Sequence, residues 1–242
     1  MEKNKSKRGT LSAELADVLS RLSSEGKKLF TVEEFARTIR RSKPKIWRIL
    51  SFLNSNGWII RLARGKYLII PLEAGPESTW SENSLVIATH LANPSAVAYW
   101  SACNYWHWTE QIPRTVFVQT TQKTMHNNKI ILGVQYRLVQ VQGVKFFGTI
   151  VRWSGENHFT ITDREKTFVD MIDHPSLCGG IYHVIKILQT AEELNWDKIN
   201  GYMEKMNNGA IYKRLGFLTE FIGNKLKLPH RKIQLKNWNE HL

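Results

Sequence analysis

The stretch from Thr31 to Pro71 leaves this chain little freedom. Thr31-Val-Glu-Glu34 is a capping box: the threonine hydroxyl and the glutamate carboxylate each satisfy an N–H that a helix start leaves open. Val32, Phe35, Ala36 and Ile39 follow at helical spacing and give that helix one buried stripe. Arg40-Arg41 make a turn, Ser42 is the N-cap of a second helix, and Pro44 falls in its first turn, where a missing N–H costs little.

The second helix presents Ile46, Ile49, Leu50 and Leu53 to a core and, roughly opposite, Pro44, Arg48, Ser51 and Ser55. Lys45 and Trp47 flank that outer face, and Asn56-Gly57 ends the helix. Trp58–Leu62 and Lys66–Ile70 then pair around Ala63-Arg64-Gly65 as a hairpin. Leu11, Leu15, Val18, Leu19 and Leu22 define an earlier helix, closed by Ser23–Gly26, that completes a three-helix core. Helix, turn, basic helix and basic-tipped hairpin is the layout of a winged helix-turn-helix.

Charge falls on the same stretch. The chain of 242 residues carries a formal +13, and residues 1–72 hold 16 Lys/Arg against 6 Asp/Glu. Residues 73–170 are balanced, with 8 of each. A surface that neutralises phosphates requires such an excess; a solvated basic face that aids solubility is the bland alternative. Lys43, Lys45 and Arg48 are the expected groove contacts, with Ser51 as a reader of a base edge. Arg40 and Arg41 in the turn, and Arg61, Arg64 and Lys66 on the hairpin, are expected on phosphates. Trp47 is read as packing in preference to a sugar contact. Residues 1–9 form a basic arm.

Glu73–Thr79, rich in Gly, Pro and acid, marks the boundary between a 1–72 domain and a larger α+β domain over 78–242. In the latter, Glu82–Leu91 reads as a helix with Leu85, Ala88 and Leu91 inward, and Ser95 as the cap of another through Ala102. The aromatics from Tyr99 to Trp108 have no Lys or Arg among them between Glu82 and Arg114, so they are assigned to a core or a partner interface rather than to base stacking. Strands are expected over Thr115–Thr120, Ile130–Gly133, Gln135–Gln140, Lys145–Val151 and Phe159–Ile161. Thr162-Asp-Arg-Glu165 reads as a second capping box, opening a helix that buries Phe168, Val169 and Ile172 and ends at His174-Pro175. Helices over Gly179–Thr190, Trp196–Met206 and Ala210–Asn224 and a short strand within Lys227–Leu242 complete the chain.

Catalytic motifs are sparse. The eight histidines show no paired metal-ligand spacing, the two cysteines make no Cys-x-x-Cys, and no phosphate-binding Gly-x-x-x-x-Gly-Lys-Ser/Thr loop occurs. Asp163, Glu165 and Lys166 superficially resemble a nuclease cluster, Asp170 and Asp173 share a helix face that can hold Mg²⁺, and Cys178-Gly-Gly180 can set a thiol before a helix. Capping, hydrogen-bonded carboxylates and a packed small side chain are the preferred readings, so neither an enzyme nor a cofactor is expected. No apolar run of membrane-spanning length is present, and two distant cysteines suit a reducing compartment; a cytoplasmic location is the expectation.

In order along the chain, Gly57–Ile69, Ile87–Pro94, Ser101–Trp106, Pro113–Val118, Ile161–Asp170 with His174-Pro175, Cys178-Gly-Gly180 and Lys213–Leu218 resemble the AbiEi-type antitoxins of bacterial type IV toxin–antitoxin systems. Ser101–Trp106 departs from the Ala-Leu and His-Gly segment more usual there. The resemblance implies a DNA-binding N-terminal domain that represses its own operon at inverted repeats, hence two copies on double-stranded DNA. It also implies a C-terminal domain that counters a nucleotidyltransferase-like toxin without a stable complex. A stand-alone regulator whose C-terminal domain senses a ligand or binds a protein is the alternative.

Overall fold

The computed structural model describes residues 9–24, 28–70, 83–123, 127–190 and 194–222. The basic arm through residue 8, the boundary segment 73–79, the closing residues 25–26 of the first helix and the strand expected within 227–242 lie outside the described residues. The fold is mixed α+β.

The N-terminal part contains α1 (Ala13–Ser24), β1 (Leu29–Thr31), α2 (Val32–Ile39), α3 (Lys43–Ser55), β2 (Ile59–Ala63) and β3 (Lys66–Ile69). The capping box forms in full: Glu34 N–H donates to Thr31 Oγ1 at 3.2 Å, and Thr31 N–H to Glu34 Oε2 at 2.7 Å. Arg40 ends α2 in the left-handed region, φ 47°, which opens the turn into α3. Ser42 takes the N-cap position of α3, but its side chain makes no capping bond there. β1 adds a strand that the hairpin pattern does not announce, giving an antiparallel sheet in the order β1-β3-β2. Val18, Leu22, Phe35, Ile39, Ile46, Leu50 and Leu53 close a core beneath it with Ile59, Tyr67 and Ile69.

The larger part follows with α4 (Ser84–Thr89), β4 (Ser95–Val97), α5 (Tyr99–Tyr105), β5 (Thr115–Thr120), β6 (Asn128–Ile131), β7 (Val134–Gln140), β8 (Thr149–Ser154), β9 (Asn157–Thr162), α6 (Arg164–Asp173), α7 (Ile181–Thr190), α8 (Trp196–Met206) and α9 (Gly209–Ile222). Its mixed sheet runs β6-β7-β5-β4-β9-β8. Ser95 is not a helix cap: its hydroxyl donates to Thr89 O and Ala92 O while Ser95–Val97 pairs with β5 and β9 at the centre of the sheet. The strand expected at Lys145 starts later, at Thr149. Gly148 precedes it at φ 62°, and a Cβ there would fall 2.8 Å from Lys166 Cβ, so the chain bends where it passes under α6.

The second capping box is shifted by one residue. Asp163, not Thr162, caps α6 by accepting from Lys166 N–H at 2.8 Å. Glu165 instead accepts from Lys198 Nζ at 2.9 Å and from Asn195 N–H at 3.3 Å, tying α6 to α8. α6 is buried along nearly its whole length, so its polar residues must be satisfied internally. Lys166 is fully buried and pairs with Asp170, which also lies within reach of Gln119 Nε2 at 3.4 Å. Burial holds the Asp170 carboxyl above its ordinary range despite Lys166.

Removing one partner of a buried pair leaves a charge unpaired. Lys166→Met is therefore expected to cost about 3–5 kcal/mol in urea denaturation, and Lys166→Met/Asp170→Leu to recover most of it. Folding raises the Asp170 pKa, so that group's contribution is present at acidic pH and lost as pH rises through the folded value. The single variant is thus expected to lose more at neutral than at acidic pH, and a pH-independent loss would contradict the pairing of Lys166 with Asp170.

Candidate nucleic-acid interface

α3 carries its buried residues, Ile46, Leu50 and Leu53, on one side. Lys43, Lys45, Arg48 and Ser51 are all exposed on the rest of its surface. Trp47 and Phe52 flank Arg48 at 45% and 43% exposure, so Trp47 is a surface residue rather than the packing residue its bulk suggests. A groove of about 640 Å³ runs from Leu15 of α1 to Pro44, Lys45, Arg48 and Phe52. Asn54, near the end of α3, accepts from Arg61 N–H at 3.1 Å and so fixes the helix against β2.

The turn residues differ from one another. Arg40 is exposed. Arg41 is engaged by α1, its Nη2 lying 2.7 Å from Glu14 Oε1. Both side chains are about half exposed, and such a pair contributes about 0–1 kcal/mol, little enough for Arg41 to exchange Glu14 for another anion.

On the hairpin, Arg64 is exposed at the tip beside Gly65, whose φ of 75° the turn uses. Arg61 is also exposed, its Nε donating to Ala63 O at 3.4 Å. Lys66 is placed otherwise. Side chains alternate along β3, and Tyr67 and Ile69 belong to the core beneath the three helices, whereas Leu68 belongs to the core shared with α4. Lys66 lies on the Leu68 side, half-buried near His90, and burial lowers its pKa. It therefore sits in the seam between the two sheets and not on the surface that α3 presents.

The clusters considered for catalysis are occupied by structural partners. Asp163 accepts from Tyr202 Oη at 2.8 Å, and its Oδ2 lies 3.1 Å from Lys198 Nζ. Asp173 accepts from Asn208 Nδ2 at 2.7 Å and from Lys145 Nζ at 3.4 Å, beside Arg214 on the carbonyls of residues 172 and 173. The Asp170 and Asp173 face is thus filled by cations and an amide. Cys178 is buried against Cys103, and burial together with that neighbour raises its pKa well above the ordinary thiol range. That is the reverse of an activated thiol. Native protein at neutral pH is accordingly expected to react negligibly with a maleimide and at both cysteines once unfolded; rapid native labelling would contradict the buried placement.

No family model matches the sequence, and no curated protein is detectably similar to it. Among solved structures, the chain is similar to the crystal structure of RV2827C protein from Mycobacterium tuberculosis, with a TM-score of 0.64 and 13% identity over 97% of this chain and 84% of that one. At that identity the likeness carries the fold, nearly end to end.

Proposed function

We propose that this chain is a DNA-binding transcriptional autorepressor that reads its operator through a winged helix-turn-helix formed by residues 1–72. In this reading it is also the antitoxin of a type IV toxin–antitoxin pair. The observation that carries the DNA-binding part is the outer face of α3, where Lys43, Lys45, Arg48 and Ser51 are exposed opposite a fully buried stripe. A helix packed on one side and cationic on the other fits the major groove. Arg48 has the chemistry of a bidentate guanine contact and Ser51 that of a hydrogen bond to a base edge. Arg40, Arg41, Arg61 and Arg64 hold phosphates and set the register.

The antitoxin part rests on the sequence resemblance. In it the α+β region over 78–242 counters a nucleotidyltransferase-like toxin and performs no chemistry of its own, consistent with carboxylates committed to caps and ion pairs. Operators with inverted repeats place two copies on the DNA. A stand-alone regulator whose larger part senses a ligand is the second reading, favoured by a cleft beside Trp106.

The test is a gel-shift titration against the DNA upstream of the protein's own gene and against a scrambled duplex, repeated across salt. Specific retention of the upstream DNA is expected. Arg48→Ala should weaken it by about 1–3 kcal/mol and relax preference at one position, whereas Arg64→Ala should weaken all sequences alike and reduce the salt slope by about 1. Equal, weak binding to both duplexes would remove the DNA-reading role. Co-expression with an adjacent toxin gene separates the two readings, since only an antitoxin restores growth.

A further inference from the structure

The outer face of α3 carries an indole that the charge pattern does not account for. Trp47 is 45% exposed. Trp58, Trp100 and Trp106 each donate their indole Nε1 to a backbone carbonyl, at 3.0, 3.4 and 3.1 Å. The Trp47 indole makes no such bond among the described residues. Its place on the helix is defined from both sides. Residues four apart on a helix lie one above the other, so Trp47 is aligned with Ser51. Asn54, seven residues on from Trp47, accepts from Arg61 N–H and marks this side as the one facing β2. Arg48 and Phe52 form the neighbouring row and line the groove against Leu15 of α1, which accounts for Phe52 at the surface. Trp47 and Ser51 stand outside that groove.

An indole on such a face is an apolar plate with one N–H donor and no acceptor. Each base presents a different pattern to the major groove. Thymine alone offers a 5-methyl group beside an acceptor, its O4; cytosine has an amino donor at that place, and the purines have no methyl. The indole complements thymine in both respects.

We infer that Trp47 is a specificity-determining residue that selects a thymine, its ring covering the 5-methyl group and its N–H facing O4, next to the base pair that Arg48 reads. The inference rests on the proposed DNA-reading role of α3 and adds the base that this role selects. Trp47 lies outside the buried stripe of Ile46, Leu50 and Leu53, so replacing it leaves the core intact.

The experiment is a gel-shift titration of the full chain on the DNA upstream of its own gene, on the same duplex with deoxyuridine in place of thymidine, and on a scrambled duplex. Deoxyuridine lacks only the methyl group. It is expected to weaken binding about fourfold, the worth of one buried methyl, and replacement one base at a time to trace the loss to one position in each half of the operator. Trp47→Ala, checked for an unchanged melting temperature, is expected to bind the thymidine and deoxyuridine duplexes alike, and Trp47→Phe to keep the distinction. 5-Methylcytosine at that position keeps the methyl but turns the acceptor into a donor, and is expected to bind more weakly than thymine. Specific retention of the upstream DNA with no effect of deoxyuridine, or an effect undiminished in Trp47→Ala, would overturn this inference and leave the DNA-reading role standing. Equal, weak binding to the upstream and scrambled duplexes would overturn both. 5-Methylcytosine bound as tightly as thymine would overturn the O4 half.

Discussion

Much of this architecture depends on the two-sidedness of β3. As the central strand of its sheet it sends Tyr67 and Ile69 into the core under α1, α2 and α3, and Leu68 into the core shared with α4 and the larger sheet. Leu62 of β2 joins Leu68 on that second side, against Val86 and Ile87. Burying a large aliphatic side chain contributes roughly 1.5–3 kcal/mol, so these contacts outweigh the exposed Arg41–Glu14 pair several times over. Lys129 of β6 adds a hydrogen bond from its Nζ to Leu62 O at 3.1 Å. The cationic face of α3 is thus carried on a hairpin whose back is built into the larger part, and its position relative to the six-stranded sheet is set by packing.

The same constraint explains how the basic residues divide. Those on or near α3 are exposed because the helix has its apolar side in the core and nothing covers the other among the described residues. Lys66 shares its charge with them but not its direction. In the larger part, α6 is the equivalent organiser. Its burial forces Lys166 and Asp170 to pair and Asp163 and Glu165 to find Tyr202, Lys198 and Asn195, so a run that resembles a catalytic cluster becomes the join between α6 and α8.

The sequence is most legible where local chemistry and periodicity act together. The Thr31–Glu34 box, the stripes of α2 and α3, the hairpin and α8 follow from side chains within a turn or two of each other. Elements set by distant partners are not written locally. Ser95–Val97 is three residues long and is a strand only because β5 and β9 lie on either side of it. β1 is a strand because β3 is its neighbour. The cap of α6 slips from Thr162 to Asp163 because the Thr162 hydroxyl is committed to Thr167 Oγ1 at 2.8 Å. The cleft beside Trp106 is a further case: Tyr105 and Trp106 are neighbours in the chain, but Arg152 and Arg164, which also line it, are remote in sequence and arrive only through the fold.

The proposed DNA-reading role requires α3 to enter a groove of specific DNA. Tethering a hydroxyl-radical source at Ser51→Cys tests it most directly, since Cys103 and Cys178 are buried and leave the new thiol as the reactive one among the described residues. Cleavage confined to a short stretch in each half of an inverted repeat upstream of the gene is the predicted result. Cleavage spread evenly along the DNA, or a pattern no different from that of a source tethered at Tyr182→Cys on the exposed face of α7, would contradict it.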